Sequence, residues 1–272
     1  MNRRDIDAIA QALLDAYARG TSVASFASAY PDFDVDAAYD VLREIARRRI
    51  AAGWQPIGRK IGFTNRTIWP RYGVDRPMWA HVWRETVQDA PEGRASLSLA
   101  KTAEPRIEPE VVFGIARAVP AGADAAAALR AVAWIAPGFE IVQTQFPGWK
   151  FTVPECTAAF GLHRALVVGP RTAVDARNRE ALLERLCTFE LTLRRGGAVV
   201  ERGVGSNVLD GPAHALAFLS RVLRSRPSMP QLAAGETVTT GTITDAWPVA
   251  PGETWTSDYG ALGISGTILH LT

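Results

Sequence analysis

Apolar residues recur at two different periods along the chain, and the change between them divides it. Near the start, Ile6, Ile9, Ala10, Leu13, Leu14 and Tyr17 fall three or four residues apart, as on one face of a helix, and Gly20 closes the segment. A second helix is predicted from Asp34, a capping residue, through Ala38, Val41, Leu42 and Ile45 to Gly53. Its Arg43, Arg47, Arg48 and Arg49 are expected on the exposed side or in the last turns. Residues 54–92 follow neither period. Gly, Pro, Trp and Arg dominate them, as in G-R-K-I-G-F-T-N-R-T and Y-G-V-D-R-P-M-W-A-H-V-W, which predicts loops and short strands lining a site. From about residue 95 alternation takes over in R-I-E-P-E-V-V-F, F-E-I-V-Q-T, A-L-V-V-G, F-E-L-T-L-R, T-V-T-T-G-T and T-I-L-H-L, the pattern of strands. Two helical stretches interrupt it, one after Asp124 through A-A-A-A-L-R-A-V-A-W-I-A and one from about Pro212 through H-A-L-A-F-L-S-R-V-L. The expected class is α+β, with a helical region and its site-lining loops over residues 1–95 and a mixed, strand-rich domain over 96–272.

The strand R-I-E-P-E-V-V-F carries an unusual pair. Alternation places Ile107, Pro109, Val111 and Phe113 on one face and Glu108 and Glu110 together on the other. A solvated sheet face would accommodate the pair. On a half-buried face two neighbouring carboxylates repel, and a cation or a shared proton must relieve them. Carboxylates without His or Cys suit a hard, oxygen-seeking ion, Mg²⁺ or Mn²⁺, better than zinc. Glu140, which opens F-E-I-V-Q-T just after Pro137-Gly138 among apolar neighbours, is the best third ligand.

Length and composition narrow the class. At 272 residues the chain can form one large domain or two of about 100–200 residues. Its 47% hydrophobic and 21% charged residues are those of a folded globular protein. The 30 basic and 28 acidic residues are dispersed, leaving no footprint for nucleic acid or a membrane surface. The two cysteines, Cys156 and Cys187, lack the spacing of a zinc site or redox pair. The first residues carry acids among their apolar positions, unlike the apolar core of a signal peptide, so a cytoplasmic location is expected.

Other residues attract attention by context. Lys60 sits among glycines that would let backbone approach a ligand, and His81 and His163 stand in W-A-H-V-W and F-G-L-H-R-A-L. Taken singly, a surface lysine and packed or exposed histidines are the default readings. Several motifs fail: Gly53 and Gly58 have P-loop spacing but lack the Lys-Ser/Thr pair, Gly203 and Gly205 lack a third glycine at Val208, and there is no G-x-S-x-G or H-E-x-x-H.

Taken together, K-I-G-F-T around Lys60, R-I-E-P-E-V-V-F, F-E-I-V with Glu140, Trp149-Lys150, G-V-G-S-N-V-L-D-G-P-A-H-A-L-A-F-L and T-G-T-I-T-D-A-W-P-V-A-P-G-E-T-W resemble a known family. It is the 2-keto-4-pentenoate hydratase and 4-oxalocrotonate decarboxylase branch of the fumarylacetoacetate hydrolase superfamily. The resemblance implies a small helical N-terminal region packed on a curled mixed β-sheet, and a homo-oligomer. It implies Glu108, Glu110 and Glu140 as ligands of Mg²⁺ or Mn²⁺, Lys60 at the substrate's acidic end or in proton transfer, and Thr244 beside the substrate. The implied activity is a metal-dependent hydratase of a 2-hydroxy-2,4-dienoate in small-molecule catabolism. A decarboxylase or C–C hydrolase working on the same chelate, or a non-catalytic acid-binding or assembly subunit, are the alternatives. The chain departs from the family pattern twice. Met78, Trp79 and Ala80 follow Pro77 where an acid is common, leaving Asp75 nearest. Ala159 and Phe160 replace an Asp-Asn pair beyond Glu155. The expectation is a less polar cleft lined by Asp75 and Phe160, with His81 or His163 replacing the missing acid.

Overall fold

The computed structural model describes residues 1–66, 69–74, 76–225 and 229–272, and only the backbone of Arg71 and Tyr72. Helix α1 (Arg3–Arg19) starts where the Asn2 side chain accepts from the Asp5 amide and stops at Gly20; helix α2 (Val35–Ala51) is capped by Asp34, which accepts from the Ala37 amide. They bury the predicted faces. Arg49 lies in the last turn of α2, as expected, but not on an exposed side: it is only 4% exposed, with the rings of Tyr17, Trp54 and Phe160 around its guanidinium at 4.3–4.5 Å.

Next in the chain come β1 (Pro56–Gly62), α3 (Trp69–Tyr72), β2 (Met78–Trp83), β3 (Val87–Asp89), β4 (Arg94–Leu97) and β5 (Arg106–Ile115). They are followed by α4 (Ala125–Leu129), β6 (Val132–Val142), α5 (Val153–Ala158), β7 (His163–Val168), β8 (Thr172–Ala173), α6 (Arg179–Thr188), β9 (Glu190–Arg195) and β10 (Ala198–Val204). The chain closes with α7 (Pro212–Arg224), β11 (Thr237–Thr239), β12 (Trp247–Pro248), β13 (Thr254–Asp258) and β14 (Thr267–Leu271). The α+β expectation holds. The curled mixed sheet runs β2-β1-β11-β5-β6-β7-β3, with β12 also on β5 and β8 also on β6, and a second sheet runs β10-β9-β13-β14-β4. Strands β1, β2 and β3, which precede residue 95, are hydrogen-bonded into the same sheet as β5, β6 and β7, and β4 straddles that position. Among the described residues no helix is long and apolar enough to cross a membrane.

Two elements differ from expectation. The helix after Asp124 ends at Leu129, and V-A-W-I-A belongs to β6, which continues through Pro137-Gly138 instead of beginning after it. The β-branched and aromatic residues there gain more from pairing with β5 than from extending a one-turn helix. Pro109 and Pro137 cannot donate to the β5–β6 ladder. Between them the Tyr259 hydroxyl donates to the Glu110 carbonyl at 2.6 Å and lies 3.3 Å from the Gly138 amide, bridging the strands. The inward side chains Ile107, Val111 and Phe113 are fully buried, each contributing roughly 1.5–3 kcal/mol relative to exposure. Their burial fixes the face on which the glutamates stand.

Candidate metal centre

Glu108 lies directly opposite Glu140 in the antiparallel β5–β6 ladder, and Glu110 follows Glu108 on the same face. Carboxylate oxygens of the three therefore fall within 4.8 Å of one another. Glu110 and Glu140 are fully buried; Glu108 is half-buried at the floor of a cleft of about 710 Å³, its open mouth included.

The surroundings hold each carboxylate differently. Glu110 Oε2 accepts a 2.6 Å hydrogen bond from the Gly241 amide, but among the described residues no donor reaches its buried Oε1. Gly241 is required there: φ is +99°, and a Cβ would sit 1.7 Å from Thr64 Oγ1. Glu140 accepts from His163 Nδ1 at 2.7 Å, and Lys60 Nζ stands 3.2 Å from its other oxygen. The far nitrogen of His163 meets the Thr86 hydroxyl at 2.7 Å. Lys60 also donates to the carbonyl of Gly161, whose positive φ aims that oxygen at the ammonium.

The charges do not balance by themselves. Burial lifts the Glu108 carboxyl to about 7, with Lys60 pulling it down and Glu140 pushing it up. Burial and the Glu140 charge lift Glu110 well above the ordinary carboxylate range. Glu140 goes the other way: burial would raise it, but Lys60 and His163 hold it at about 2. Burial would discharge Lys60, yet Glu140, Glu108 and Glu110 outweigh it and keep the ammonium charged above its ordinary range. Three carboxylates against one ammonium leave a double negative charge, which one divalent cation cancels. An all-oxygen donor set with a buried, unsatisfied Glu110 oxygen fits such an ion.

A pH prediction follows. In the metal-free protein Glu108 and Glu110 stay protonated above 4.5, the ordinary carboxyl value at which the unfolded chain releases its protons. The folded state then binds more protons, so the stabilisation from Glu108 is lost as pH rises from 4.5 through about 7, and that from Glu110 is lost in the same direction. Glu140 acts oppositely, but between 4.5 and about 2, below that window. His81 and His163, held below the ordinary imidazole value of 6.5, act oppositely in the lower part of this range, so the check is a comparison: as pH rises from about 5 to 7 in EDTA, the melting temperature of Glu108→Gln should gain on that of wild type. A slope identical in the two proteins would contradict it.

The cleft above the carboxylates is walled by Phe63, Met78, Trp149, Phe151 and Leu162, with Lys60, Thr64, Arg106 and Thr244 as polar members. The fumarylacetoacetate (FAA) hydrolase C-terminal family matches residues 78–267, a span that contains this carboxylate pair and its cross-strand partner. The chain belongs to the fumarylacetoacetate hydrolase family. Within the family, it is 28% identical over 263 residues to a 4-oxalocrotonate decarboxylase of Pseudomonas sp. (strain CF600), covering 96% of each chain. It is 28% identical over 256 residues to a 2-keto-4-pentenoate hydratase of Paraburkholderia xenovorans (strain LB400), covering 93% of this chain and 91% of that one. A solved 4-oxalocrotonate decarboxylase from Pseudomonas putida G7, complexed with magnesium and adipate, superposes with a TM-score of 0.89 at 26% identity, covering 100% of this chain and 99% of that one.

Against this family frame some expected site residues move. Lys60 and Thr244 line the cleft, and the Thr244 hydroxyl donates to the Asp245 carbonyl. His81 does not: Lys60 pairs with Ala80, so Ala80 and Met78 share the cleft face of β2 while His81 turns to the other, between Trp79 and Trp83. Burial and the nearby arginines hold its imidazole down at about 4, so it stays neutral. His163 stands behind Glu140, buried, and orients that carboxylate instead of facing the cleft. Phe160 packs on Tyr17 with ring centroids 4.6 Å apart, away from the cleft, so the apolar wall comes from Met78, Phe151 and Leu162. Glu155 caps α5 and binds Ser25 Oγ and the Phe26 amide. Asp75 lies outside the described residues. Arg106 was missed, although it is two positions before Glu108 and alternation alone puts it on the same face. Cys156 also lines the cleft, but burial pushes its thiol up to about 12, which removes it as a nucleophile.

Proposed function

We propose that this protein is a divalent-metal-dependent lyase that hydrates a 2-hydroxy-2,4-dienoate, with Glu108, Glu110 and Glu140 holding Mg²⁺ or Mn²⁺. The observation that carries the reading is the convergence of these three carboxylates at the floor of an aromatic-walled cleft, beside a buried lysine. The likeness to a 2-keto-4-pentenoate hydratase over most of both chains supports it. When bound, the ion supplies Lewis-acid polarisation of a 2-oxo acid, an electron sink at the carboxylate end of the substrate.

The chain's own groups do the rest. Lys60, kept positive in a dry site, stabilises negative charge developing on the substrate and is the proton-bearing side chain that faces it. His163 and the Gly241 amide keep Glu140 and Glu110 from turning. Phe63, Trp149 and Phe151 enclose a conjugated carbon chain and limit stray water. Thr64 brings a buried hydroxyl with no hydrogen-bond partner among the described residues, and Thr244 a second hydroxyl, for the substrate or the attacking water.

One side chain favours a second reading, decarboxylation of a 2-oxo dicarboxylic acid on the same centre. Arg106 lies half-buried in the cleft, stacked on Trp149 at 3.9 Å, and makes no ion pair among the described residues. Such a guanidinium suits a second, distal carboxylate. The solved decarboxylase likewise was complexed with adipate, a dicarboxylate.

Ultraviolet absorbance of 2-hydroxypenta-2,4-dienoate and of a 2-oxo hexenedioic acid, each with Mg²⁺, followed by mass spectrometry of the products, separates the readings. Addition of water to the monoacid supports the hydratase. Loss of CO₂ from the diacid without hydration replaces it by the decarboxylase, and no turnover of either sinks both. Arg106→Leu should reduce kcat/KM for a diacid by about 10- to 100-fold while leaving that for a monoacid within about threefold. Equal effects on both would remove the distal-carboxylate role.

A further inference from the structure

A second cleft lies between α1, α2 and the other face of the β6–β7 pair. It measures about 1680 Å³ with its mouth and is larger than the cleft over the carboxylates. Ile141 and Ala165, partners in the β6–β7 ladder, line it; Ile141 is one residue on from Glu140 and so faces the opposite way.

Three arginines meet there, and their charges are unevenly matched. Arg48 is paired with Glu44 and Asp7. Arg164 donates to the Ala100 carbonyl and lies over the Tyr17 ring at 4.8 Å, with no carboxylate partner among the described residues. Arg49 is 96% buried, and its Nε and Nη1 have no hydrogen-bond partner among the described residues. The rings of Tyr17, Trp54, Trp83 and Phe160 cover it at 4.3–5.3 Å, but aromatic faces satisfy the flat sides of a guanidinium and offer nothing to its N–H edge. The acid in the lining, Glu85, is exposed and accepts from the Gln55 amide. Thr102 adds a buried hydroxyl with no hydrogen-bond partner among the described residues. Arg49, held by four rings and partly offset by the Tyr17 hydroxyl and Glu85, stands at the wall of this cleft beside the less buried Arg164, and the two guanidiniums together make a preorganised anion site.

We propose that this cleft binds a small flat organic acid, its carboxylate on Arg49 and Arg164 and its apolar body against Leu14, Trp54 and Ile141. Planar carboxylate matches the guanidinium edge, and the aromatic and aliphatic lining suits a conjugated or aromatic body. Thr86 lines the same cleft and is hydrogen-bonded to His163, which orients Glu140, so an occupant sits behind the carboxylate cluster and outside it.

The probe is sodium benzoate, titrated calorimetrically into the whole protein in EDTA. Benzoate entering the other cleft would meet Arg106 there, so Arg106→Leu is the control for that cleft and should leave the binding unchanged; loss of binding in it would overturn the proposal. Saturable binding of one benzoate per chain is expected. Arg49→Gln and Arg164→Gln should each weaken it by about tenfold or more, and Glu108→Gln should leave it unchanged. Arg164 is only half-buried, so its variant keeps the test decisive if Arg49→Gln does not fold. Absence of saturation, wild-type affinity in a folded Arg164→Gln, or loss of binding in Glu108→Gln would overturn the proposal.

Discussion

Replacing Glu110 with glutamine is expected to cut turnover of the best substrate by about a thousandfold and to abolish tight Mn²⁺ binding. The size follows from where the side chain sits. One of its oxygens is already committed to the Gly241 amide, and the other is buried, meets no donor among the described residues and lies against Glu140, so either a shared proton or a cation must relieve it. An amide keeps the shape of the group but removes a full charge, and turning its NH₂ toward Gly241 would set donor against donor. The charge count also fails: two carboxylates and Lys60 leave a single negative charge for a divalent ion. Metal-free stability should move the other way. Glu110 is protonated in the folded protein without metal, so glutamine replaces a neutral group and the melting temperature in EDTA should hold or rise. Mn²⁺ titration followed by electron paramagnetic resonance, with melts in EDTA and in Mn²⁺, checks both halves. Unaltered Mn²⁺ affinity in a folded variant would exclude Glu110 as a ligand.

Lys60→Met should lower kcat/KM by about a hundredfold or more while the protein still binds Mn²⁺. The ammonium is buried at 3% exposure, 3.2 Å from Glu140 and 3.1 Å from the Gly161 carbonyl. Methionine fills the same volume without charge. It leaves Glu140 with His163 alone, and removing one member of a buried ion pair costs roughly 3–5 kcal/mol, so the metal-free melting temperature should drop. A bound divalent ion supplies the missing charge to Glu140, so Mn²⁺ should recover most of that loss without restoring turnover. That split separates a role in the reaction from a role in folding. If Mn²⁺ restored both, Lys60 would be a charge balance only.

Much of the centre was legible before any coordinates. Period-two alternation put Glu108 and Glu110 on one face, and it equally put Arg106 there, a consequence that reading for acids alone overlooked. Glu140 was legible as an isolated acid in an apolar strand. The residues misplaced in advance share one property: their direction depends on partners far away in the chain. His81 lies on a strand whose orientation is set by the pairing of Lys60 with Ala80. Phe160 sits at a positive φ and is drawn to Tyr17, 143 positions earlier, and Arg49 looked like one more exposed helix arginine until the rings of Trp54, Trp83 and Phe160 closed over it.

The sequence by itself determined the helices of the first fifty residues, the strand-rich remainder and the face of β5 that carries two carboxylates. These depend on contacts one helical turn or one strand residue apart. Only the tertiary structure decided that Glu140 stands opposite Glu108, that Lys60 reaches them from a strand beyond β11, and that His163 turns its ring to the back of Glu140. Strand register and order are set by which whole faces can be buried together, and no local period encodes that.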